Sequence, residues 1–153
     1  MSERKSGRLR LVLLGGAAAL AVALFLMVGP PKLLAKSETP EFCSSCHVHE
    51  AQYEAWFHAG AHRREICVEC HLPNENMPIH YLWKSIDGMK DLILFNAGHV
   101  PDDITITEHG REVVHANCIR CHSETVAMIS QERDCTDCHR GMMHKHSGVI
   151  ETR

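Results

Sequence analysis

The stretch Cys43-Ser44-Ser45-Cys46-His47 sets the pattern on which the rest of this chain is built. It recurs three times, as Cys67-Val68-Glu69-Cys70-His71, Cys118-Ile119-Arg120-Cys121-His122 and Cys135-Thr136-Asp137-Cys138-His139. The four motifs contain all eight cysteines of the chain, so no thiol is left over. The spacing is typical of c-type haem attachment, in which two thiols bind one porphyrin and the next imidazole binds its iron. The sequence therefore predicts four covalently bound haems c.

Zinc binding and thiol–disulfide exchange are the alternative interpretations of these cysteines. Cys-x-x-Cys pairs about 15–20 residues apart are typical of zinc ribbons, and two pairs of motifs have compatible separations. A zinc site does not need a histidine directly after each second cysteine, however. Thiol–disulfide exchange motifs lie beside a βαβ pattern, which this sequence lacks. The four histidines therefore favour haem over both alternatives.

The composition indicates that the haems form the centre of the folded chain. The 153 residues carry a formal net charge of −3, so no basic excess indicates nucleic-acid binding. Eight cysteines and thirteen histidines stand beside only two Trp, two Tyr and four Phe. A short chain of this kind cannot build a large apolar core and needs covalent or metal cross-links. We expect a mostly α-helical domain with extensive loops, whose core is the porphyrins.

An apolar N-terminal segment predicts a membrane anchor. Residues 11–29 contain no charge. The length of this segment is about that needed to cross a hydrocarbon core of roughly 30 Å. Four basic residues precede this segment, and the positive-inside rule then predicts a cytoplasmic N-terminus in a bacterial cytoplasmic membrane. We expect a cytoplasmic end at 1–10, a transmembrane helix at 11–30 closed by Pro30 and Pro31, a linker at 31–41 and a periplasmic tetrahaem domain at 42–153.

The periodicity of the exported part predicts helices and no strands. Helices are expected at 50–62, 79–95, 108–116 and 124–131, with Ser123 as the N-cap of the last. Prolines and asparagines predict a loop at 72–78 and a break at 96–103.

Nine histidines lie outside the motifs, and some are expected to be second axial ligands of the irons. His62 lies five residues before Cys67, and His144 five residues after His139. Five residues span at most roughly 17 Å, so neither wraps easily around the haem of its neighbouring motif. We therefore expect each to ligate a different haem, which would interlock the haem-binding segments. Open roles remain for His58, His80, His99, His109, His115 and His146.

The N-terminal span, the four motifs and the stretch between them resemble the NapC/NirT family of membrane tetrahaem quinol dehydrogenases. Within that family the chain is most similar to the small subunits of cytochrome c nitrite reductases. The resemblance implies that menaquinol from the membrane quinol pool donates electrons, which reach a periplasmic pentahaem nitrite reductase that forms ammonia. Other reductases, for nitrate or trimethylamine N-oxide, are alternative acceptors, and a passive electron carrier without a quinol site is an alternative function.

The resemblance also implies roles for individual residues. Asp91 would sit on the open face of the first haem, and Lys84 would lie in the quinol pocket. His62 and His144 would be distal ligands of the fourth and third haems. The catalytic subunit of the reductase would supply a lysine to the second haem.

The residues themselves leave two interpretations of Lys84 and Asp91 open. They are seven positions apart, so they share one face of the predicted helix with Asp87. A carboxylate there can accept a quinol proton, and an ammonium can stabilise a developing quinolate. The alternative is a solvated surface with an ordinary Lys84–Asp87 pair.

The first motif departs from the family pattern at His49. The family usually has Cys-x-x-Cys-His-x-Met there, and that Met is an iron ligand in the nitrite reductase small subunit. Either His47 or His49 can bind the iron, but two residues this close cannot take opposite faces. An imidazole in place of Met should lower the haem potential. We expect one imidazole ligand on one face of this haem and an open second face.

Overall fold

In a computed structural model, the chain is a long N-terminal helix followed by several short helices and two longer ones. The structure describes residues 2–29, 32–58, 60–142 and 144, with side chains from Gly7 onward. No strand occurs among these residues. The helices are α1 Ser2–Val28, α2 Leu33–Lys36, α3 Pro40–Cys43, α4 Glu50–His58, α5 Cys67–His71, α6 Met77–Asn96, α7 Glu108–His122 and α8 Cys135–Cys138, with 3₁₀ turns at His47–His49 and Arg140–Met142.

Helix α1 contains the predicted membrane segment. Among the described residues, one helix is long and apolar enough to cross a membrane, and its span is Gly7–Val28. Its large apolar side chains are exposed along their length, as expected of a surface that faces lipid. The helix ends at Val28, directly before Gly29, where a side chain would collide with the carbonyl oxygen of Phe25. The predicted stop at Pro30 and Pro31 lies outside the described residues.

Helices α6 and α7 form at the predicted places and are capped by side chains. Asn76 accepts a hydrogen bond from the Ile79 backbone N–H at 3.0 Å, and Thr107 accepts one from that of Gly110 at 3.1 Å. Pro78 belongs to the first turn of α6 and not to the predicted loop, because a first-turn residue needs no backbone donor. Helix α7 continues past the predicted end to His122, so it carries the third motif.

Two of the helix predictions include residues that are not helical. Helix α4 ends at His58, so His62 lies in a turn and not on the predicted helix 50–62. The Trp56 indole N–H holds that turn by donating to the carbonyl oxygens of His62 and Glu65, at 3.2 and 2.9 Å. The predicted helix 124–131 is absent: residues 123–128 form turns, and Ser123 is the C-cap of α7. This segment has little to pack against, since Met128 is 97% exposed.

Few side chains are buried in the described part of the chain. The buried apolar residues are Pro40, Val68, Leu72 and Val113, and no described side chain there is fully enclosed. The contacts between α5 and α7 form the main protein-only packing. A domain of this size usually buries a larger apolar core, so most of its interior surface is left for another group to cover.

Candidate functional site

Short helical turns hold most of the thiol pairs. The second and fourth motifs form α5 and α8, and the third forms the last turn of α7. Residues i and i+3 of a helix share a face, so each of these three pairs presents its two thiols on one side. In the first motif, Cys43 ends α3 and Cys46 precedes the 3₁₀ turn of His47. All eight cysteines are free thiols, with no disulfide between them.

Thiols of consecutive motifs lie beside each other. The thiols of Cys43 in the first motif and Cys67 in the second lie close enough that their interaction lowers the pKa of Cys43 and raises the pKa of Cys67. Burial and the neighbouring thiol of Cys135 raise the pKa of Cys118 to about 11. Burial and the charge of Cys121 raise the pKa of Cys70. The four motifs are thus arranged one after the other, in chain order from first to fourth.

A polar clamp fixes the second motif against the third. Asn117 on α7 is buried, and its side-chain amide donates to the carbonyl oxygens of Cys70 and Leu72 at 3.0 and 2.8 Å. Arg120 on the same helix forms an ion pair with Glu69 of α5 at 2.7 Å. Asn117 thus gives the Cys70 carbonyl a partner at the end of α5, and it joins Asn74 in bonding the carbonyl of Leu72.

Two non-motif histidines approach motif histidines. The ring of His62 lies 5.9 Å from that of His122, and the ring of His144 lies 6.0 Å from that of His71. Burial lowers the pKa of His71, with smaller effects of His144 and His49, and burial also lowers the pKa of His144. A lowered pKa favours the neutral imidazole, which is the form that binds a metal.

This placement differs from the one that the family resemblance implies. Each ring lies beside a motif that is not its neighbour in sequence, as the short spacing predicts. His62 lies beside the third motif and His144 beside the second, whereas the resemblance implies ligation of the fourth and third haems. Which iron each imidazole binds stays a prediction. The reason for the first difference is the packing of α5 on α7, which brings the segment before α5 to the end of α7.

His47 and His49 point toward different parts of the fold. The ring of His47 packs edge-on against Phe95 of α6, with ring centroids 5.6 Å apart. His49 is close enough to His71 for its charge to lower the pKa of that histidine. An open cleft of about 350 Å³ lies beside His47, and its lining residues are Ser44, Ser45, His47, Glu50, Tyr53 and Glu54. The choice between His47 and His49 as the ligand of the first iron stays open.

Haem c fits these residues. The thiols are unpaired and share faces within motifs, the protein core is small, and the imidazoles of His62 and His144 lie close to motif histidines. The buried Nδ1 atom of His62 has no hydrogen-bond partner among the described residues, so it can still accept one. A porphyrin at each motif would supply the missing apolar surface, and the imidazoles would supply nitrogen ligands to its iron.

Helix α6 carries Lys84 and Asp91 along the first motif. The Lys84 charge is near enough to the Cys43 thiol to contribute to its lowered pKa, and Phe95 contacts His47. Lys84 does not pair with Asp87, which is bonded to Lys90 at 3.4 Å, so the alternative of a Lys84–Asp87 surface pair is wrong. Asp91 is half exposed and lies 3.7 Å from Lys90. Lys84 and Asp91 are two helical turns apart, about 10 Å along the axis.

Sequence reasoning missed the partner of Lys84, which is Glu38. Its Oε1 atom lies 3.1 Å from the Lys84 ammonium and 3.3 Å from His80 Nε2. Burial raises the pKa of Glu38, but the bond to Lys84 and those from Tyr81 and His80 outweigh it and hold the pKa below its ordinary value. Burial and the Glu38 carboxylate raise the pKa of Tyr81. No local pattern joins Glu38 to residues more than forty positions away.

The structure describes neighbours for most of the other histidines. His80 has both ring nitrogens beside protein oxygens, those of Pro73, Asn74 and Glu38. His109 stacks on Trp83 with ring centroids 3.8 Å apart. His58 pairs with Glu54 at 3.4 Å, and His115 lies 3.6 Å from Asp134. His146 lies outside the described residues.

Four attachment motifs, three of them held in helical turns, follow one apolar helix in the described part of the chain, and together they define a membrane-anchored c-type cytochrome. The chain belongs to the NapC/NirT cytochrome c family, because the model of that family's N-terminal region matches residues 4–125. Membership implies covalently bound haem c and, with α1, a single-pass membrane protein.

Known proteins match over most of their length. The cytochrome c-type protein NrfH of Wolinella succinogenes is 34% identical, over 82% of this chain and 81% of its own. The cytochrome c nitrite reductase subunit NrfH of Nitratidesulfovibrio vulgaris is 36% identical, over 100% of this chain and 97% of its own. The crystal structure of a cytochrome c nitrite reductase NrfHA complex bound to the HQNO inhibitor contains a similar chain. The TM-score is 0.72 at 31% identity, covering 93% of this chain and 96% of the other.

Proposed function

We propose that this protein is a menaquinol dehydrogenase that passes electrons through four haems c to a periplasmic pentahaem nitrite reductase. The observation that carries the proposal is the order of the motifs. The first motif lies along α6 with Lys84, and consecutive motifs then meet through neighbouring thiols. Such an order suits transfer from a membrane donor to a distant acceptor. The two NrfH relatives and the related nitrite reductase complex support the choice of acceptor.

The residues that would hold the haems follow from the motifs. The eight cysteines would attach four porphyrins, with His71, His122 and His139 as proximal ligands and His47 or His49 at the first. His62 and His144 would be distal ligands. Bound haem c supplies one-electron oxidation and reduction at its iron. We also propose, from the resemblance, that the reductase supplies a lysine ligand to the second haem.

At the quinol site, Lys84 and Asp91 would have different roles: Lys84 would stabilise negative charge on the quinol oxygen, and Asp91 would accept a proton. The Lys84 ammonium can donate hydrogen bonds to a quinol oxygen and stabilise the negative charge that develops there. The half-exposed Asp91 carboxylate can accept a proton and release it to water. The HQNO inhibitor in the related complex supports a quinol site in this chain.

The topology of the proposal places residues 1–10 in the cytoplasm. Arg4, Lys5, Arg8 and Arg10 precede or begin the apolar span, and basic residues stay on the cytoplasmic side. The span 11–30 would cross the membrane, 31–41 would link it to the haem domain, and 42–153 would lie in the periplasm.

Purification from membranes with the native partner tests the whole proposal. We expect an intact chain that carries four haems, co-purification of a pentahaem subunit, and reduction of the haems by a naphthoquinol. A chain with zinc in place of haem would contradict the haem assignment. A fully loaded chain that no quinol reduces would instead indicate a passive carrier.

A further inference from the structure

A single carboxylate near the base of the membrane helix gathers three donors from the first turns of α6. Glu38 accepts a hydrogen bond from Lys84 at 3.1 Å and lies 3.3 Å from His80 Nε2, and it is near enough to the Tyr81 hydroxyl to raise the pKa of that group. The cluster is largely shielded from water, with side-chain exposures of 21% for Glu38, 18% for Lys84 and 9% for His80. Hydrogen bonds to charged groups in such surroundings hold side chains firmly in place.

The surroundings of His80 require one proton between it and Glu38. The amide nitrogen of Asn74 lies 2.9–3.2 Å from three backbone carbonyl oxygens, toward which its two hydrogens point. The Oδ1 atom of Asn74 is therefore the acceptor that faces His80. His80 Nδ1 lies 3.1 Å from that oxygen and 3.2 Å from the Pro73 carbonyl, so Nδ1 carries a hydrogen. On the other side of the ring, Nε2 lies 3.3 Å from Glu38 Oε1. A nitrogen lone pair and a carboxylate oxygen repel each other at that distance unless one of them holds a proton.

We propose that Glu38 and His80 form a one-proton pair that positions Lys84 for quinol binding, a role that rests on the proposed function in menaquinol oxidation. With its shared proton the pair is neutral as a whole, so it holds Lys84 without cancelling its positive charge. An ammonium has three donors, and the bond to Glu38 uses one of them. Two donors therefore stay available for a quinol oxygen, on a side chain that is otherwise long and flexible.

The two members of the pair have different expected effects. Loss of the Glu38 carboxylate releases Lys84, so binding of the quinol weakens. Loss of the His80 ring leaves Lys84 bonded to a carboxylate whose charge is no longer balanced. That charge opposes the negative charge of a developing quinolate and slows the oxidation, while binding changes little.

The test is naphthoquinol-driven reduction of the haems in detergent-extracted full-length protein, compared at equal haem content. For Glu38→Gln we expect a rise of about tenfold in the half-saturating quinol concentration, with the maximal rate within twofold of the parent. For His80→Gln we expect a maximal rate several-fold lower at a similar half-saturation. Glu41→Gln is the matched control, because Glu41 is an exposed carboxylate three positions away, and it should change neither value.

An unchanged half-saturation in Glu38→Gln overturns the inference while leaving the proposed function intact. A parent protein that no quinol reduces overturns both. If Glu38→Gln does not load haem, Glu38→Asp tests the inference in its place, because the shorter side chain of Asp cannot reach Lys84 and His80 together. We expect a rise of about threefold in its half-saturation, and the parent value would overturn the inference.

Discussion

The ring of His144 lies 6.0 Å from that of His71, the histidine of the second motif, and burial keeps the pKa of both rings low. A neutral imidazole in this position can be an axial ligand. We expect His144→Gln to convert one haem per chain from low spin to high spin, measured by electron paramagnetic resonance and visible spectra. His58→Gln is the control, since His58 is exposed and paired with Glu54, and it should leave the spectrum unchanged.

Binding of the reductase partner distinguishes two ligands for the second haem. If the partner supplies a lysine, the isolated chain should have one more high-spin haem than the complex, and complex formation should convert it. We expect this conversion on the basis of the family resemblance. A low-spin count that does not change on binding would contradict it and would assign His144 to the second haem, as its place beside His71 suggests.

Asp91 and Lys84 should affect quinol oxidation in separable ways. Asp91→Asn removes a proton acceptor, and general base catalysis contributes typically 10²–10⁴-fold, so we expect the maximal rate of quinol-driven haem reduction to fall at least about a hundredfold. Lys84→Gln should raise the half-saturating quinol concentration as well as lower the rate.

Asp102→Asn, in the exposed loop after α6, is the control for the quinol site. Reduction by dithionite, which bypasses that site, should be the same in all three variants. An unchanged quinol rate in Asp91→Asn would favour the passive carrier.

Local patterns predicted the parts of the fold that local chemistry determines. Three features depend only on neighbours within a few residues. They are the attachment motifs, the apolar span that forms α1, and the periodic segment 79–95 that forms α6. The segment 124–131 shows the limit, because a helical period forms no helix without a surface to pack against. His62 shows a related limit, since the structure places it in a turn after α4.

Long-range contacts could not be predicted from any pattern. Glu38 meets Lys84 across 46 positions, and Asn117 meets Leu72 across 45. Neither Glu38 nor Asn117 belongs to a motif, and both acquire their role only when α6 and α7 are in place. The pairing of His62 with His122 is of the same kind, since it depends on the packing of α5 against α7.

Asn117 should matter more for stability than the stronger-looking ion pair beside it. Asn117→Ala leaves the carbonyl oxygen of Cys70 without a donor and removes one of the two donors to that of Leu72, which Asn74 still bonds at 2.9 Å, at a cost of about 1–3 kcal/mol in the free energy of unfolding. Arg120→Gln breaks a more exposed ion pair with Glu69, which is worth about 0–1 kcal/mol. Denaturant unfolding of the haem-loaded protein measures both.

The control for the clamp is Asn96→Ala. Asn96 is exposed at the end of α6 and bonds only the nearby Leu92 carbonyl, at 2.7 Å, so its loss should change stability little. Equal losses of stability in Asn117→Ala and Asn96→Ala would mean that the clamp does not fix α5 against α7.

The dependence of quinol binding on pH, measured below pH 7, should reflect the lowered pKa of Glu38. The groups that face this carboxylate are Lys84, Tyr81 and His80, and their hydrogen bonds and the Lys84 charge hold its pKa below the ordinary value of 4.5. Its charge is therefore kept above pH 4.5 and lost only as the pH falls through the lower, folded-state value. We expect the ratio of half-saturating quinol concentrations between Glu38→Gln and the parent to stay constant from pH 7 to pH 5. A ratio that falls toward one within that range would mean that Lys84 and its neighbours do not stabilise the Glu38 carboxylate.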